Sequence, residues 1–307
     1  MHTALLLLPD FMLIALGFAV CRWTPLDRGV WEGAERLVYY LLFPVLLFNS
    51  VLKSPLSLGG LATLGACGLA ILASGIALAY ALGLLPGIDK RLLASGAQVA
   101  FRFNSYVGLA LAERLGGAEG VAAIALLLAI AVPVVNIAAV WPLARHGGHG
   151  VLRELARNPL IIGTLVGIAA NLAGLQLPSS LSTTLQRLGV AALPIGLMAV
   201  GAGLRFGALR AAPRLAAALL TIRHLIVPLV AIVLLRFTSL APLEQLVLVA
   251  FAALPTASSC FVLAARLGGD GSYTAGLVTL STLLGMFSVP LVLGAYGALS
   301  GNVAALR

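Results

Sequence analysis

Charged residues are almost excluded from ten long apolar stretches of this 307-residue chain, and no other feature constrains the fold as strongly. Of the 29 Lys, Arg, Asp and Glu residues, only Asp10, Arg102 and Arg223 lie well inside a stretch. A helix crosses a bilayer with about 20 apolar residues. The pattern therefore predicts an all-α integral membrane protein with ten transmembrane spans, roughly at 4–21, 35–52, 58–85, 92–113, 120–144, 158–175, 188–204, 215–235, 245–265 and 272–297.

The composition excludes several other classes of protein. With 61% hydrophobic and 9% charged residues, the chain is too apolar for a soluble domain, a coiled coil or a disordered protein. The net charge of +9 comes with only two Lys and no basic cluster, which argues against nucleic-acid binding. Cys21, Cys67 and Cys260 lie far apart in apolar runs, so we expect neither a disulfide framework nor a metal site, and no cofactor.

The positive charges between the spans predict the orientation in the membrane. Cytoplasmic loops are enriched in Lys and Arg. With the N-terminus outside, twelve basic residues fall on the cytoplasmic side and five on the outer side. We therefore expect both termini outside the cytoplasm, as an even number of spans requires. The run Thr3–Cys21 has no basic residue before it and no cleavage pattern after it, and we interpret it as a retained first helix.

The two halves of the sequence resemble each other. LAERLGG at 111–117 recurs as LAARLGG at 263–269, and LLFPVLLF with Pro44 has a weaker echo in AALPIGLM with Pro194. The offsets are about 150 residues in both cases. Each half holds five spans, and an odd number reverses the entry side of the second half. The pattern indicates inverted repeats, a transporter architecture that places the substrate near the midplane at broken helices.

The repeat directs attention to the middle of spans 4 and 9. In span 9, Pro255 is followed by Thr256, Ser258 and Ser259, and the aligned part of span 4 holds Arg102, Asn104 and Ser105. Proline removes a backbone hydrogen bond and clashes with the preceding turn. At membrane depth, freed backbone groups must line a cavity or be buried in protein. These seven residues are the candidate substrate site, although the polar side chains could instead satisfy broken backbone.

Arg102 is the most informative of the candidates. A charge at the bilayer centre costs about 2.5–3.5 kcal/mol on insertion scales, so it needs a partner or a wet cavity. Guanidinium is a permanently charged fork of donors that suits a carboxylate, which favours an anion-binding role. The alternative is a structural contact, either with Asp10 or with carbonyls at a helix end.

Three other residues inside the spans have more than one interpretation. Asp10 is a proton-coupling group, the partner of Arg102, or a residue at the outer interface. Arg223 and His224 form a relay for substrate or protons, or a buried structural pair that caps neighbouring helices. Asn49 and Asn136 are interpreted as hydrogen-bonding contacts between helices.

Competing functional classes find little support in the sequence. An intramembrane hydrolase needs a nucleophile with a base in reach, but His224 is the only His in a span and no GxSxG or HExxH occurs. A cation/proton antiporter commonly needs paired carboxylates, and none lie near spans 4 and 9. The chain is therefore not expected to be an enzyme.

Four segments make the resemblance to a known family specific. ERLVYYLLFPVLLFNSV, RNPLIIGTLVGIAANLAGLQLP, ALPIGLMAVGAGL and LPTASSCFVLAARLGGD resemble the second, sixth, seventh and ninth helices of the auxin efflux carrier family. The chain is similar to a bacterial member of that family, related to the plant PIN-formed carriers. The resemblance implies the fold of sodium/proton antiporters and bile acid symporters. That fold has two inverted five-helix repeats, with helices 4 and 9 broken and crossing.

The resemblance also implies roles for particular residues. Asn104 matches the crossover Asn of helix 4, and Pro255 matches the crossover Pro of helix 9. The family often has Pro before that Asn, where this chain has Phe103, and Arg102 is unusual beside it. We therefore expect a milder break in the fourth helix and a selectivity that need not be for auxin. Helices 1, 2, 6 and 7 would form a scaffold, and helices 3–5 and 8–10 a moving transport domain.

The expected function is secondary transport of a small organic anion, with a carboxylate held by Arg102 and Asn104 opposite Thr256, Ser258 and Ser259. The alternative is a sodium- or proton-coupled symporter of the bile-acid type. We expect a first repeat at 1–145, a cytoplasmic linker at 146–157 and a second repeat at 158–307. The family further implies a homodimer in the bacterial inner membrane.

Overall fold

The computed structural model describes residues 2–53, 58–143, 159–204, 211–257, 259–266 and 268–300, and it is helical without strands in these ranges. The α-helices are α1 His2–Trp23, α2 Arg28–Leu37, α3 Phe43–Lys53, α4 Leu58–Ala81, α5 Lys90–Gly96, α6 Gln98–Phe101, α7 Ser105–Leu143, α8 Pro159–Leu172, α9 Ser179–Ala202, α10 Pro213–Thr221, α11 Val227–Leu235, α12 Pro242–Ala253, α13 Cys260–Arg266 and α14 Gly271–Ser300.

Two π-helical turns carry long helices past a proline. Val38–Leu42 joins α2 to α3, and Ile222–Ile226 joins α10 to α11. Pro44 and Pro228 follow these turns within two residues. Proline has no N–H, and its ring clashes with the carbonyl four residues before it. The wider turn accommodates the ring, so the helices continue across it.

Six helical segments in the described residues are long and apolar enough to span a membrane. One of them, Lys90–Ala139, is 50 residues long, about twice what one crossing needs. It is interrupted at Arg102–Asn104 and bends again at Gly117, whose φ of 54° is left-handed. Shorter apolar helices lie at Phe11–Trp23, Ile162–Leu172 and Pro242–Ala253. The chain is a multi-span membrane protein.

In the described residues, the predicted stretches coincide with helices except at two starts and at the interruptions inside the fourth and ninth stretches. The second helix begins at Arg28 rather than near residue 35, and α9 begins at Ser179 rather than near 188. Asp27 explains the first difference, because its Oδ1 accepts hydrogen bonds from the N–H groups of Gly29 at 2.9 Å and Val30 at 3.3 Å. Such a cap stabilises a helix start among polar residues.

Small residues bring α1 and α9 into backbone contact. A Cβ atom on Gly17 would overlap the carbonyl oxygen of Met198, and one on Gly201 would overlap that of Ile14. Gly163 of α8 approaches the backbone of Pro44 in α3 in the same way. Close backbone approach is a common way to pack helices in a membrane, where hydrophobicity alone does not drive association. Gly189 of α9 also approaches the backbone of Leu46 in α3, so α1, α3, α8 and α9 form one packed unit.

Candidate functional site

Two helices break at the same place, and their broken segments are hydrogen-bonded to each other. After α6 ends at Phe101, Arg102 has an extended backbone with φ −77° and ψ 151°. After α12 ends at Ala253, Leu254 turns away with ψ 144°. The N–H of Asn104 donates to the carbonyl of Pro255 at 2.9 Å. The predicted alignment of the two mid-span regions therefore corresponds to a physical contact.

Asn104 starts the helix that follows the first break. Its Oδ1 accepts from the N–H groups of Tyr106 at 3.0 Å and Val107 at 3.3 Å, which caps the first turn of α7. The side chain is 2% exposed, and its Nδ2 has no hydrogen-bond partner among the described residues. A buried amide N–H without an acceptor costs about 1–3 kcal/mol, so the break carries an uncompensated cost at this residue.

Arg102 lies in the first break, with its guanidinium held by neutral acceptors. Nη1 donates to Gln98 Oε1 at 3.0 Å, and Nη2 donates to Asn136 Oδ1 at 3.3 Å and Ser259 Oγ at 3.2 Å. Within the described residues, no carboxylate forms an ion pair with Arg102. The positive charge is thus positioned by three side chains without being neutralised by them.

Gln98 links the two broken helices from inside. Besides accepting from Arg102, it donates from Nε2 to the carbonyls of Ser95 and Cys260, both at 3.0 Å. It is 1% exposed and lies one helical turn before Arg102. This residue fixes the guanidinium on one side and the start of α13 on the other. Sequence reasoning overlooked it, although its i, i+4 spacing from Arg102 was a usable signal.

Two adjoining cavities open beside the breaks. The first has a volume of about 300 Å³ and is lined by Arg102 and Asn136. The second has a volume of about 260 Å³ and is lined by Asn104, Tyr106, Arg28 and Glu35. The two cavities share the lining residues Tyr39, Phe103, Ser105, Ala257 and Ser259. A ligand pocket with an apolar wall and a few oriented polar groups has this character.

Arg28 and Glu35 bring a charged pair to the second cavity. Arg28 Nη2 donates to Glu35 Oε1 at 2.9 Å, and Arg28 Nε lies 3.6 Å from Glu32 Oε1. The side chains of Arg28 and Glu35 are about a quarter exposed, whereas that of Glu32 is about half exposed. None of the three was among the predicted site residues, because Arg28 and Glu32 were assigned to a loop and Glu35 to the edge of a span.

The second break is braced by a histidine and two serines. His224 contacts Ser288 Oγ through Nδ1 at 2.8 Å and Ser281 Oγ through Nε2 at 2.9 Å. The same Ser281 oxygen accepts the backbone N–H of Thr256 at 3.0 Å. Thr256 itself is fully buried, and its hydroxyl lies 3.5 Å from Cys260 Sγ rather than in either cavity. These contacts hold the broken backbone in place.

Arg223 caps the end of the helix before the second break. It is 2% exposed, and its Nε donates to the carbonyl of Leu254 at 2.6 Å, with Nη2 at 3.5 Å from that of Phe251. The C-terminal end of α12 carries a partial negative charge from its aligned peptide dipoles. A buried cation at this end satisfies carbonyls that the break leaves free, which matches the capping interpretation of Arg223.

The structure brings most of the predicted site residues together. Arg102, Asn104, Ser105 and Ser259 line the cavities, while the side chain of Pro255 packs against Gly285 and its carbonyl binds Asn104. Ser258 and the side chain of Asp10 lie outside the described residues. Asn136 makes the expected contact between helices, whereas the buried amide of Asn49 has no hydrogen-bond partner in the described part of the chain.

A family comparison places this architecture among known proteins. Residues 123–293, more than half of the chain, match the family described as membrane transport protein. The chain belongs to this family. The match covers the second break, the bracing His224 and the capping Arg223. It agrees with the resemblance to auxin efflux carriers at the level of the family and does not resolve a subfamily.

A curated relative is similar over almost the whole chain. A protein of Rhizobium meliloti (strain 1021) with the name "Putative malonate transporter" is 25% identical over 298 residues. The alignment covers 92% of this chain and 92% of the relative. The similarity therefore extends over both breaks.

Proposed function

We propose that this protein is a secondary carrier of a small organic anion that bears a carboxylate. The carboxylate would bind between Arg102 and the polar groups of Asn104, Ser105 and Ser259. The membrane transport family and the name of the Rhizobium relative support this class of substrate. The partial positive charge at the start of α7 would add to the attraction for an anion.

The observation that carries the proposal is the guanidinium of Arg102 beside a cavity. Its three acceptors are an amide, a second amide and a hydroxyl, so its charge has no counter-ion among the described residues. Desolvated charge is costly unless it is compensated. A substrate carboxylate in the 300 Å³ cavity would supply that compensation as a charge-assisted and bidentate pair.

Transport would proceed by elevator-type alternating access in a fold of two inverted five-helix repeats. The six long segments, the three shorter apolar helices and the second crossing inside Lys90–Ala139 together support ten spans. We assign α1, α2, α3, α8 and α9 to a scaffold, and the remaining helices to a transport domain. The hydrogen bond between Asn104 and Pro255 favours movement of both breaks as one body.

The charge distribution predicts that the linker around Arg153 faces the cytoplasm. In a chain whose three native cysteines are replaced by alanine, an impermeant thiol reagent should not label Arg153→Cys in intact cells. Permeabilised cells should show labelling. Arg236→Cys, in a loop expected on the outer side, should react in intact cells and provides the control. Labelling at position 153 in intact cells would contradict the orientation.

We expect Arg102→Ala to abolish carboxylate uptake in proteoliposomes while the protein stays folded. Among the described residues, the guanidinium donates only to uncharged acceptors. Its removal therefore leaves none of their carboxylates buried without a partner. Arg102→Lys should recover only part of the uptake, because an ammonium lacks the bidentate fork. A screen for carboxylates that raise the melting temperature of the wild-type protein selects the ligand. Uptake of that ligand in radiolabelled form is then measured for each variant.

Two outcomes would count against this role of Arg102. Uptake at the wild-type rate by well-folded Arg102→Ala protein would end the proposal. A melting temperature lowered in Arg102→Ala and restored by adding Asp10→Asn would show that the residue is a structural partner of Asp10, since breaking a buried ion pair costs about 3–5 kcal/mol.

The dependence of transport on sodium or protons separates the proposed carrier from the bile-acid type of symporter. Replacement of sodium by choline and collapse of the proton gradient distinguish an uncoupled carrier from a symporter in the same vesicles. A homodimer formed through the scaffold and residence in the bacterial inner membrane are further parts of the proposal.

A further inference from the structure

The second helix starts with a charged face that points to the second cavity. Arg28 and Glu35 are seven residues apart, which is about two helical turns and places them on the same side. Both line the 260 Å³ cavity together with Asn104. The ion pair between them, at 2.9 Å, is partly withdrawn from water.

Two residues that line this cavity carry donor atoms without an acceptor. Asn104 Nδ2 and the Nε and Nη1 atoms of Arg28 are buried and have no hydrogen-bond partner in the described part of the chain. Asn104 is itself 2% exposed, so its free N–H cannot be satisfied by bulk solvent. Two residues with unsatisfied donors, Asn104 and Arg28, therefore line one cavity. A ligand with acceptor oxygens suits such a lining.

Glu35 already shows how an acidic group binds here. Its carboxylate occupies one edge of the Arg28 guanidinium and neutralises the charge that an incoming anion would otherwise meet. Glu32 contacts Arg28 at the longer distance of 3.6 Å and is half exposed, so solvent screens it more strongly. Glu35 is thus the carboxylate that would compete with a ligand for Arg28.

We infer that Arg28 is a second anion-binding group and that Glu35 competes with the substrate for it. The inference rests on the proposed function. A substrate with two acidic groups would place one at Arg102 and the other in the cavity of Arg28 and Asn104. The two cavities share five lining residues, so they lie next to each other. Glu35 holds Arg28 when the site is empty and lowers the affinity for a dianion, which assists release.

The test compares malonate with malonamate, in which an amide replaces one carboxylate at nearly the same shape. Wild-type protein should bind malonate more tightly. Glu35→Gln should tighten malonate about tenfold, because a charge-assisted hydrogen bond to Arg28 becomes available, and should change malonamate little. Arg28→Gln should weaken malonate to the level of malonamate. Direct binding by calorimetry on monodisperse protein is the measurement.

A double-mutant cycle isolates the contact. If Glu35 acts through Arg28, adding Glu35→Gln to Arg28→Gln should produce no gain in malonate affinity. Glu32→Gln removes the same charge one turn away and should change the affinity less than about twofold. Arg28→Lys keeps the charge and should retain a preference for malonate, so the test survives a poorly folded Arg28→Gln variant.

Several results would overturn the inference. These are a wild-type protein without preference for malonate, a Glu35→Gln protein with unchanged or weaker malonate binding, and an Arg28→Gln protein that keeps the full preference. The proposed function fails separately, through Arg102. If Arg102→Ala loses both ligands while Arg28 and Glu35 variants behave as wild type, the anion carrier stands and only the second subsite is wrong.

Discussion

Gly201→Ala is expected to lose most of its folded yield in detergent and to melt well below the wild-type protein. A Cβ atom at this position would overlap the carbonyl oxygen of Ile14, which is backbone and cannot rotate away. The helices α1 and α9 would have to separate along their whole contact. Overpacking of a tight interface costs about 1–3 kcal/mol or more. Size-exclusion profiles and melting temperature measure the effect.

Gly33→Ala provides a matched control. Gly33 is also a helical glycine, but a Cβ atom there would meet nothing within 4 Å. Alanine at an open helical position is favoured over glycine by about 0.5–1 kcal/mol, so this variant should melt at or above the wild-type temperature. Equal melting temperatures for Gly201→Ala and Gly33→Ala would contradict the close backbone contact.

Arg223→Met is expected to destabilise the protein strongly and to abolish transport. Methionine fills similar space but leaves the carbonyl of Leu254 without its donor, in a place that is closed to water. Hydrogen bonds to charged groups contribute about 1.5–3 kcal/mol. The lost charge also removes the attraction to the negative end of α12. Melting temperature and uptake at matched protein amounts are the readouts.

Arg236→Met changes the net charge by the same amount and gives the comparison for Arg223. Arg236 is exposed at the end of α11, so its replacement should shift stability by no more than about 0.5 kcal/mol. Arg223→Lys should fall between the two, because an ammonium can reach a carbonyl without reproducing the fork. Identical melting temperatures for Arg223→Met and Arg236→Met would show that the cap is dispensable.

The helices and their interruptions were accessible from the sequence because two strong signals coincide there. Apolar stretches bounded by charges locate helices at membrane depth, and Pro255 beside hydroxyl residues marks a break. The repeated LxxRLGG segments then indicated that the fourth and ninth helices correspond. The Asn104–Pro255 hydrogen bond shows that the two breaks are in contact, which the correspondence alone does not require. The inverted relation of the two halves stays a prediction.

Two of the three charged residues that line the cavities, Arg28 and Glu35, were missed for one reason. A segment with Arg28, Glu32, Glu35 and Arg36 has the composition of a loop, yet the Asp27 cap extends the helix through it. Once it is helical, the seven-residue spacing turns Arg28 and Glu35 toward the same cavity. Nothing in local hydropathy encodes this, because it depends on where a helix starts rather than on how apolar it is.

The directions of the side chains at the breaks also could not be predicted from the sequence. Thr256 and Ser259 are equally polar, but Thr256 points toward Cys260 and Ser259 toward Arg102. Outside a regular helix, no fixed period relates neighbouring residues to one face. Their roles follow from backbone torsions that three-dimensional packing determines.

The broken helices also have a consequence for biosynthesis. The segment Lys90–Phe101 and the helix Pro242–Ala253 each hold 12 residues, about 18 Å of helix, which cannot cross a hydrocarbon layer of about 30 Å alone. The acceptor for the Asn104 N–H lies about 150 residues later in the chain. At about 5–20 residues per second, the ribosome takes roughly 8–30 s to deliver it. During that time the N–H of Asn104 has no acceptor from the second half of the chain.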